Sequence, residues 1–466
     1  MWDLANNKGY RNLLAILILI AAPLLASFAA PQSAPTNETI VLKDVRVIDG
    51  SGAPPMEHAA IVIEGGRIVS VGPVGKMKWP KSARVIDYAA KTVLPGLISD
   101  HSHVGQIDGT TAGSQNYNRA NILRQLHQYE AYGVTTITAL GLNADLFYEL
   151  RPELHSGTLP GADLFGADHG IGVPDGAPPF ALPQNQIYRA ATPEDGIRAV
   201  DDMATRKPDL IKLWVDDFHG TLRVKMSPEI YGAAIKEAHK LGLRIAAHVY
   251  YLADAKLLVN DGVDILAHGV RDLPVDDELI RAMKAHSTWY IPTIGLDESF
   301  YIFAAQPERM NDPFLAHALQ PALATQFNDP AWRAKALSNQ AQLEANKASV
   351  ALNKRSVKAL YDAGVNIGFG TDSGATPLRI PGFAEHHELE LLVDAGLTPL
   401  QAINLATAKS AALLHLDDRG VIAPGKLADF IVVDGNPSTQ IRDTQKITAV
   451  YHRGKQASGA VLNFVP

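Results

Sequence analysis

Residues 94–103 have the sequence LPGLISDHSH, a short apolar run that ends in two histidines two positions apart. Alternate residues of a β-strand point to the same face, so His101 and His103 are predicted to leave one face together. Two neutral imidazoles directed at one point fill a core poorly and begin a metal site well. A His-x-His pair also occurs on solvated surfaces, so the rest of the chain must decide between the two interpretations.

Four later segments repeat this design, an apolar strand-like run that ends in a possible ligand. They are residues 209–212, 244–248, 264–268 and 367–372, which end in Lys212, His248, His268 and Asp372. Taken singly, each could be a surface strand end, a hydrogen-bonded core residue or a turn residue. Taken together with His101 and His103, they predict one site.

Three further strands are predicted near residues 134–139, 162–166 and 289–292, which brings the count to eight. Helix-length stretches alternate with the strands, at 118–132, 227–241, 253–261 and 276–285. This alternation favours parallel β/α units. Eight such units form a (β/α)8 TIM-like barrel, an α/β fold whose reactive residues lie at the C-terminal ends of the strands. Every candidate ligand falls there.

From about residue 40 onward, this motif set resembles the amidohydrolase superfamily, in particular the group similar to imidazolonepropionase and to metal-dependent Xaa-Pro and Xaa-Arg dipeptidases. The resemblance implies that His101, His103 and Asp372 bind a first metal ion and that His248 and His268 hold a second. It also implies that Lys212 is carboxylated by carbon dioxide and bridges the two ions, and that Asp372 moves the proton. One position departs from the family, since Ser99 stands where an aspartate usually precedes the first histidine.

The chemistry of the candidate residues agrees with this resemblance. Two neighbouring cations need anionic ligands, and Asp372 is the one carboxylate among the candidates, so a carbamate on Lys212 would supply further negative charge. A bound metal lowers the pKa of water from ~15.7 to ~7, and Asp372 could pass that proton to the departing nitrogen. The chain has no cysteine. Imidazole and carboxylate ligands suit zinc, manganese, iron or cobalt, and zinc is favoured. A single ion on His101, His103, His248 and Asp372 is the alternative.

These observations predict a metal-dependent hydrolase that cleaves a C–N amide bond of a small dipeptide-like, N-acyl or cyclic amide. Lactone or phosphotriester hydrolysis at the same centre is an alternative, and a non-catalytic metal-binding protein is another. Substrate contacts are less clear from the sequence. Tyr250 and His387 follow predicted ligands, and His169 lies in a loop rich in glycine and proline, so these three are the candidates. Arg271 and Arg379 could also contact the substrate, but neither directly adjoins a candidate ligand in the sequence.

Strand-like segments also occur near both ends of the chain, separated by glycine pairs that favour hairpins. Residues 36–92 and 416–466 are predicted to join into one small β-sandwich, with the barrel over residues 93–415. The stretch near 296–354 is predicted to be a helical insertion. Such an insertion could cover the site or form a surface or oligomer contact.

Residues 1–29 have two basic residues, an apolar run and small residues at the end, which is typical of a secretory signal peptide. The apolar run is shorter than the ~20 residues that a spanning helix needs. We therefore expect a periplasmic or secreted protein without stable membrane association after cleavage. The formal net charge of −7, with signs interspersed, gives no indication of nucleic-acid binding. A small-molecule substrate is expected, and a homo-oligomer is possible.

Overall fold

The computed structural model describes residues 38–179 and 182–459, so the predicted signal peptide lies outside the described residues. The strands are numbered in chain order. They are β1 (Ile40–Val47), β2 (Met56–Glu64), β3 (Arg67–Pro73), β4 (Arg84–Asp87), β5 (Lys91–Pro95), β6 (Leu97–Ser102), β7 (Ile107–Asp108), β8 (Thr111–Ala112), β9 (Val134–Leu140), β10 (Asp163–Ala167), β11 (Ile171–Gly172), β12 (Tyr188–Arg189), β13 (Ile211–Trp214), β14 (Ile245–His248), β15 (Ile265–Ala267), β16 (Trp289–Ile291), β17 (Asn366–Ile367), β18 (Phe430–Asp434), β19 (Ile447–His452) and β20 (Lys455–Ser458).

Helices follow most of the central strands, as the alternation of the sequence predicts. They are α1 (Arg119–Ala131), α2 (Asp145–His155), α3 (Pro193–Thr205), α4 (Pro228–Lys240), α5 (Leu252–Asn260), α6 (Asp277–His286), α7 (Gly295–Glu298), α8 (Ile302–Ala305), α9 (Pro313–Ala316), α10 (Pro321–Asn328), α11 (Pro330–Ala336), α12 (Gln340–Asp362), α13 (Phe383–Asp394), α14 (Pro399–Asn404) and α15 (Ser410–Leu413). Among the described helices, none has the length and apolar character needed to cross a bilayer.

Local sequence accounts for where several of these helices begin. The Asn118 side chain accepts a hydrogen bond from the Asn121 amide and caps α1. Thr192 and Asp195 form a reciprocal capping box at the start of α3, and Pro193 occupies the first helical position. Such caps pair amides that have no partner inside the helix and contribute about 1 kcal/mol each.

The central strands are parallel and form two sheets. One has the order β10–β9–β6, and the other has the order β12–β11–β13–β14–β15–β16–β17. Isolated parallel bridges connect the two sheets, from Ala167 of β10 to Leu210 before β13 and from Ser102 of β6 to Ser373 beyond β17. The predicted α/β class with parallel strands is therefore confirmed.

Successive residues of the central strands pack into two different cores. Leu266 and Tyr290 belong to the large cluster that includes the helices. Their neighbours Ile265 and Ile291 face the other way, into a smaller cluster that also contains Leu413 of α15. This period of two is the expected pattern for strands buried on both faces. Every second side chain of these strands therefore faces the smaller cluster. The candidate ligands lie beyond these apolar residues, toward the C-terminal ends of the strands.

Strands from both terminal regions pair in one mixed sheet. Its order is β20–β19–β18–β5–β1–β2–β3, and β4 also pairs with β1. The two ends of the chain meet where β18 runs antiparallel to β5, from Lys91 opposite Asp434 to Pro95 opposite Phe430. The predicted joining of the two terminal regions is thus observed as a single hydrogen-bonded sheet, and its packing as a two-layer sandwich stays a prediction.

The segment predicted as a helical insertion contains short helices from α7 to α11 followed by the long helix α12. Prolines stand at or near the start of α9, α10 and α11, where the missing amide hydrogen costs no helical bond. The prolines thus begin separate short helices, and α12 runs uninterrupted for 23 residues.

Candidate metal centre

Two histidines leave the end of β6 side by side. His101 lies within β6 and His103 directly follows it, and both side chains are buried. Their ring centroids are 5.7 Å apart. The pairing of β6 with β9 is irregular between Ser99 and Ser102. Since Ile98 faces the interior cluster, this irregularity allows His101, an odd number of residues later, to face inward as well.

Asp372 approaches this pair from the loop after β17. Its Oδ1 lies 3.0 Å from His103 Nε2 and 3.4 Å from His101 Nε2. Its amide donates to the His101 carbonyl, and its φ of 59° is left-handed. Arg379 contacts the other carboxylate oxygen. Burial opposes ionisation, but Arg379 and the two histidines outweigh it and hold the pKa of Asp372 well below its usual range.

His248 and His268 complete a row of imidazoles. The ring of His268 lies 4.5 Å from that of His101 and 4.3 Å from that of His248. Thr293 Oγ1 is within 2.9 Å of His268 Nδ1 and fixes the orientation of its ring. Burial, reinforced by the neighbouring histidines, holds the pKa of His268 well below its usual range. Neutral imidazole is the form that binds metal ions.

Lys212 is fully buried beside these rings. Its Nζ has no hydrogen-bond partner among the described residues and lies 5.6 Å from the centroid of the Trp214 ring. Burial lowers the pKa of Lys212 to about 7, although Asp372 and Asp216 favour its charged form. Burying an ammonium without a hydrogen bond is unfavourable in free energy, so a partner group would stabilise this amine.

Two sequence predictions about strand ends are wrong in detail. Lys212 is the second residue of β13, which continues to Trp214, because the apolar run extends beyond the lysine. Asp372 lies five residues beyond β17, which is only two residues long. The residues after β17 bond to the end of β6, where the Asp100 amide donates to the Phe369 carbonyl and the Thr371 amide donates to the His101 carbonyl. Glycine permits this close approach, since a Cβ at Gly370 would lie 2.6 Å from the His101 amide nitrogen.

The donor set fits a divalent cation. Nitrogen or oxygen atoms of His101, His268 and Asp372 lie within 4.8 Å of one another, and all three residues are buried. Nδ1 of His101 and Nδ1 of His103 also have no hydrogen-bond partner among the described residues. Buried imidazoles and a carboxylate with unused ligand atoms are the donor types that zinc and related ions prefer.

The serine that replaces the family's aspartate takes part in a different buried network. Ser99 donates to Glu385 Oε1 at 3.3 Å, and Glu385 also accepts from Thr371 at 2.7 Å and Ser373 at 2.6 Å. The next residue, Asp100, accepts the Phe369 amide at 3.0 Å. Both residues therefore hold the β6 end against the loop that carries Asp372.

A cavity of about 530 Å³ opens above the cluster. His101, His103, His248, His268 and Asp372 line it, whereas Lys212 lies below its surface. The insertion covers one side. Its contributions include Leu296, Asp297, Phe300, Tyr301, Asn339 and Leu343. Of the two roles predicted for the insertion, this contact favours the covering of the site.

The three predicted substrate contacts lie outside the residues that line this cavity. His169 contacts Asp168 and stacks on Tyr188 at 5.2 Å. Tyr250 stacks behind a cavity residue, His219, at 3.9 Å. The third residue, His387, lies 2.5 Å from a glutamate of α7. Direct substrate contact by these three side chains stays a prediction.

Several polar residues of the site were not assigned from the sequence. Asp216 Oδ2 lies 3.3 Å from His248 Nε2. The signal for it was present, because Asp216 follows the apolar run of β13 four residues after Lys212, on the same face. Arg271 is buried, lines the cavity and donates to Asp297 at 2.8 Å. Its partner lies in the insertion, so neighbouring sequence gives no sign of the pair.

Comparison with known families agrees with this geometry. The model of the amidohydrolase family matches residues 92–457. The chain belongs to the amidohydrolase family. This match confirms the predicted resemblance. Members of the family bind divalent metals, and the protein is a hydrolase with a His and Asp group that could hold such an ion.

Solved structures with the same fold include dipeptidases. A putative prolidase from Bifidobacterium longum is 26% identical, with a TM-score of 0.71 over 91% of this chain and 95% of that chain. A Xaa-Pro dipeptidase with bound methionine is 24% identical, with a TM-score of 0.71 over 90% of this chain and 99% of that chain. These likenesses imply a TIM-barrel fold.

Curated relatives match different shares of this chain, and a 5-methylthioadenosine/S-adenosylhomocysteine deaminase of Bacillus cereus is 22% identical over 88% of this chain and 88% of its own length. The adenine deaminase of Lysinibacillus sphaericus is 38% identical over 79 residues, which is 17% of this chain. The chain spans 14% of the length of that relative. Together with the family match, these relatives support metal-dependent hydrolysis as a general activity.

Proposed function

We propose that this protein hydrolyses a C–N amide bond of a small dipeptide-like, N-acyl or cyclic amide substrate. The observation that carries the proposal is the buried group of imidazoles and one carboxylate that opens into a cavity covered by the insertion. The similarity to a prolidase supports an amide as the scissile group. The cavity is large enough for a small molecule.

The ligands are proposed to divide between two zinc ions. His101, His103 and Asp372 would hold the first ion, and His248 and His268 the second. A carbamate formed by carbon dioxide on Lys212 would bridge them. Support comes from the fully buried Nζ of Lys212, which has no hydrogen-bond partner among the described residues, and from the nearness of Asp372 Oδ1 to both His101 and His103. The bound ions would supply Lewis acidity and a hydroxide nucleophile at neutral pH.

Asp372 is proposed to move the proton. Arg379 and the histidines outweigh burial and hold its pKa low, so the carboxylate is in its proton-accepting form. Its position beside the predicted ligands, with one oxygen facing the imidazoles, supports transfer of a proton to the departing amide nitrogen. Arg379 holds one oxygen of this carboxylate, and the other faces the imidazoles.

The remaining organisation is proposed on the same basis. Eight of the ten central strands, all except β11 and β12, would close as a barrel over residues 93–415, and the two bridges between the sheets support this closure. Residues 36–92 and 416–466 would form a β-sandwich. Cleavage of a signal peptide at residues 1–29 would deliver the enzyme to the periplasm or outside the cell.

A substrate panel tests the proposed reaction. Zinc-loaded protein is assayed with dipeptides, N-acyl amino acids, cyclic amides, lactones and aryl phosphotriesters. Turnover that is highest for one amide class, and that is lost on chelation and restored by zinc, is the expected result. Turnover confined to lactones or phosphotriesters would replace amide hydrolysis, and metal binding without turnover of any class would leave a non-catalytic metal-binding protein.

A further inference from the structure

The loop after Asp372 folds back on itself and places two polar residues at the wall of the cavity. The Gly374 amide donates to the Arg379 carbonyl at 2.9 Å, and the Arg379 amide donates to the Thr376 carbonyl at 3.0 Å. These bonds close a tight loop. As a result, both Thr376 and Arg379 line the cavity beside Asp372.

Arg379 is buried with most of its hydrogen-bonding capacity unused. Only 8% of the residue is exposed, and Nε has no partner among the described residues. One of its five N–H groups is directed at Asp372. The centroid of the Phe300 ring lies 5.3 Å from the guanidinium carbon. Burying a guanidinium with so few bonds is unfavourable unless a ligand completes them.

Thr376 provides a second, independent unpaired group. Its Oγ1 is buried and has no hydrogen-bond partner in the described part of the chain. A hydroxyl can donate one hydrogen bond, and a guanidinium donates several in one plane. Together they match the oxygens of a planar anion such as a carboxylate, which arginine binds with two parallel hydrogen bonds.

The position of these groups relates them to the metal centre. Asp372 lies between Arg379 and the histidines of the predicted metal centre, because one of its oxygens contacts Arg379 and the other lies 3.0 Å from His103 Nε2. Arg379 therefore lies next to a predicted ligand at the wall of the cavity, so an anion bound to its remaining N–H groups would lie in the same cavity as the metal centre. An N-acyl amino acid or a dipeptide carries a carboxylate close to its amide bond, so such a substrate could occupy both places.

We propose that Arg379 and Thr376 form a subsite for a carboxylate of the substrate. The subsite restricts hydrolysis to amides that carry a free carboxylate close to the scissile bond, which means N-acyl amino acids and dipeptides. It disfavours neutral amides, lactones and triesters. This inference rests on the proposed function and names its substrate class.

A matched pair of ligands tests the subsite by binding alone. The probes are 3-phenylpropanoate and its neutral carboxamide, which share a ring and differ in charge. Calorimetric titration of the zinc-loaded protein is expected to give a Kd at least about tenfold lower for the acid, as for hydrogen bonds to charged groups. The difference should vanish in Arg379→Met, shrink in Thr376→Val and persist in part in Arg379→Lys.

The matched control is Arg198→Met, since Arg198 is an exposed arginine paired with Asp195 on α3. It should keep the wild-type preference. A preference that survives in Arg379→Met would come from direct contact with zinc and would overturn the subsite. Equal affinity for both probes, or no binding of the acid, would also overturn it. If Arg379→Met does not fold, full preference in both Arg379→Lys and Thr376→Val is the contradicting result.

Kinetics separate this inference from the proposed reaction. For a hydrolysed N-acyl amino acid, Arg379→Lys should raise KM more than it lowers kcat. Equal turnover of N-acyl amino acids and their carboxamides would leave amide hydrolysis standing and reject the subsite. An intact preference for the acid, with no amide hydrolysed, would leave the subsite standing and reject the reaction.

Discussion

Two buried polar clusters lie at opposite ends of the central strands, and they differ in how their charges are paired. At the N-terminal end, Asp163 of β10 accepts hydrogen bonds from Arg419 and Arg453, and His452 pairs with Glu130. Each of these five side chains has an oppositely charged partner. At the C-terminal end, the Lys212 amine has none among the described residues. Asp163 Oδ1, His452 Nε2 and Arg453 Nε also lack hydrogen-bond partners among the described residues, so the C-terminal cluster is distinguished by an amine that has neither a hydrogen bond nor an ion pair there.

Asp372→Asn is expected to have the largest effect, and it acts on the cluster at the C-terminal end. Asparagine keeps an oxygen for a metal but cannot accept and return a proton. We expect metal to be retained and kcat to fall by ~10²–10⁴-fold, which is typical of lost acid–base catalysis. Steady-state kinetics and elemental analysis measure both, with the exposed Asp362→Asn as control. A kcat near wild type would reject Asp372 as the proton carrier.

Asp163→Asn tests the cluster at the N-terminal end. It would remove one carboxylate from the buried Arg419, which keeps Asp418, and one from the half-buried Arg453. Breaking a buried ion pair costs about 3–5 kcal/mol of unfolding free energy, and the remaining Asp418 places the expected loss near the lower end of this range. Urea unfolding should show this loss, while the metal content of the folded variant stays at the wild-type value. Loss of metal without loss of stability would mean that the two clusters do not differ as described.

His386 of α13 is a further buried polar side chain, and both of its ring nitrogens have hydrogen-bond partners. Its ring bonds to the Tyr132 carbonyl at 2.8 Å and to Thr444 at 3.0 Å. Burial lowers the pKa of His386 to about 4. The unfolded chain therefore binds this proton near pH 6.5 and the folded chain near pH 4, so stability is lost as the pH falls through that window.

His386→Gln should flatten this pH dependence. The free energy of unfolding of the wild type is expected to fall by about 2 kcal/mol more between pH 7 and pH 5 than that of the variant. Denaturant unfolding at the two pH values measures the difference, with the exposed His286→Gln as control. Identical pH dependence in His386→Gln and the wild type would remove His386 from the account.

Much of the site was predictable because strand periodicity is local. The spacing of His101 and His103, and the position of His248 at the end of β14, follow from the sequence alone. The approach of Asp372 was not predictable in detail. It depends on how closely the loop at Gly370 packs against His101, and this contact joins residues far apart in the chain.

The polar partners of the ligands were the least predictable part. Arg379 had no anchor in the sequence, yet the folded loop places it against Asp372. Arg271 finds its carboxylate in the insertion, at Asp297. Side chains of this kind are fixed by tertiary packing, whereas the strands and helices follow from hydrophobic periodicity. The sequence therefore indicated which predicted ligands come together better than it indicated the residues that surround them.

The most direct test of the central claim is the number of metal ions per chain in wild type and Lys212→Ala. Elemental analysis after exhaustive zinc loading should approach two ions in the wild type. Lys212→Ala should hold at most one, with partial rescue by formate or acetate, and the exposed Lys240→Ala should match the wild type. A wild-type plateau at one ion, or an unchanged count in Lys212→Ala, would contradict the two-ion centre bridged by a carbamate.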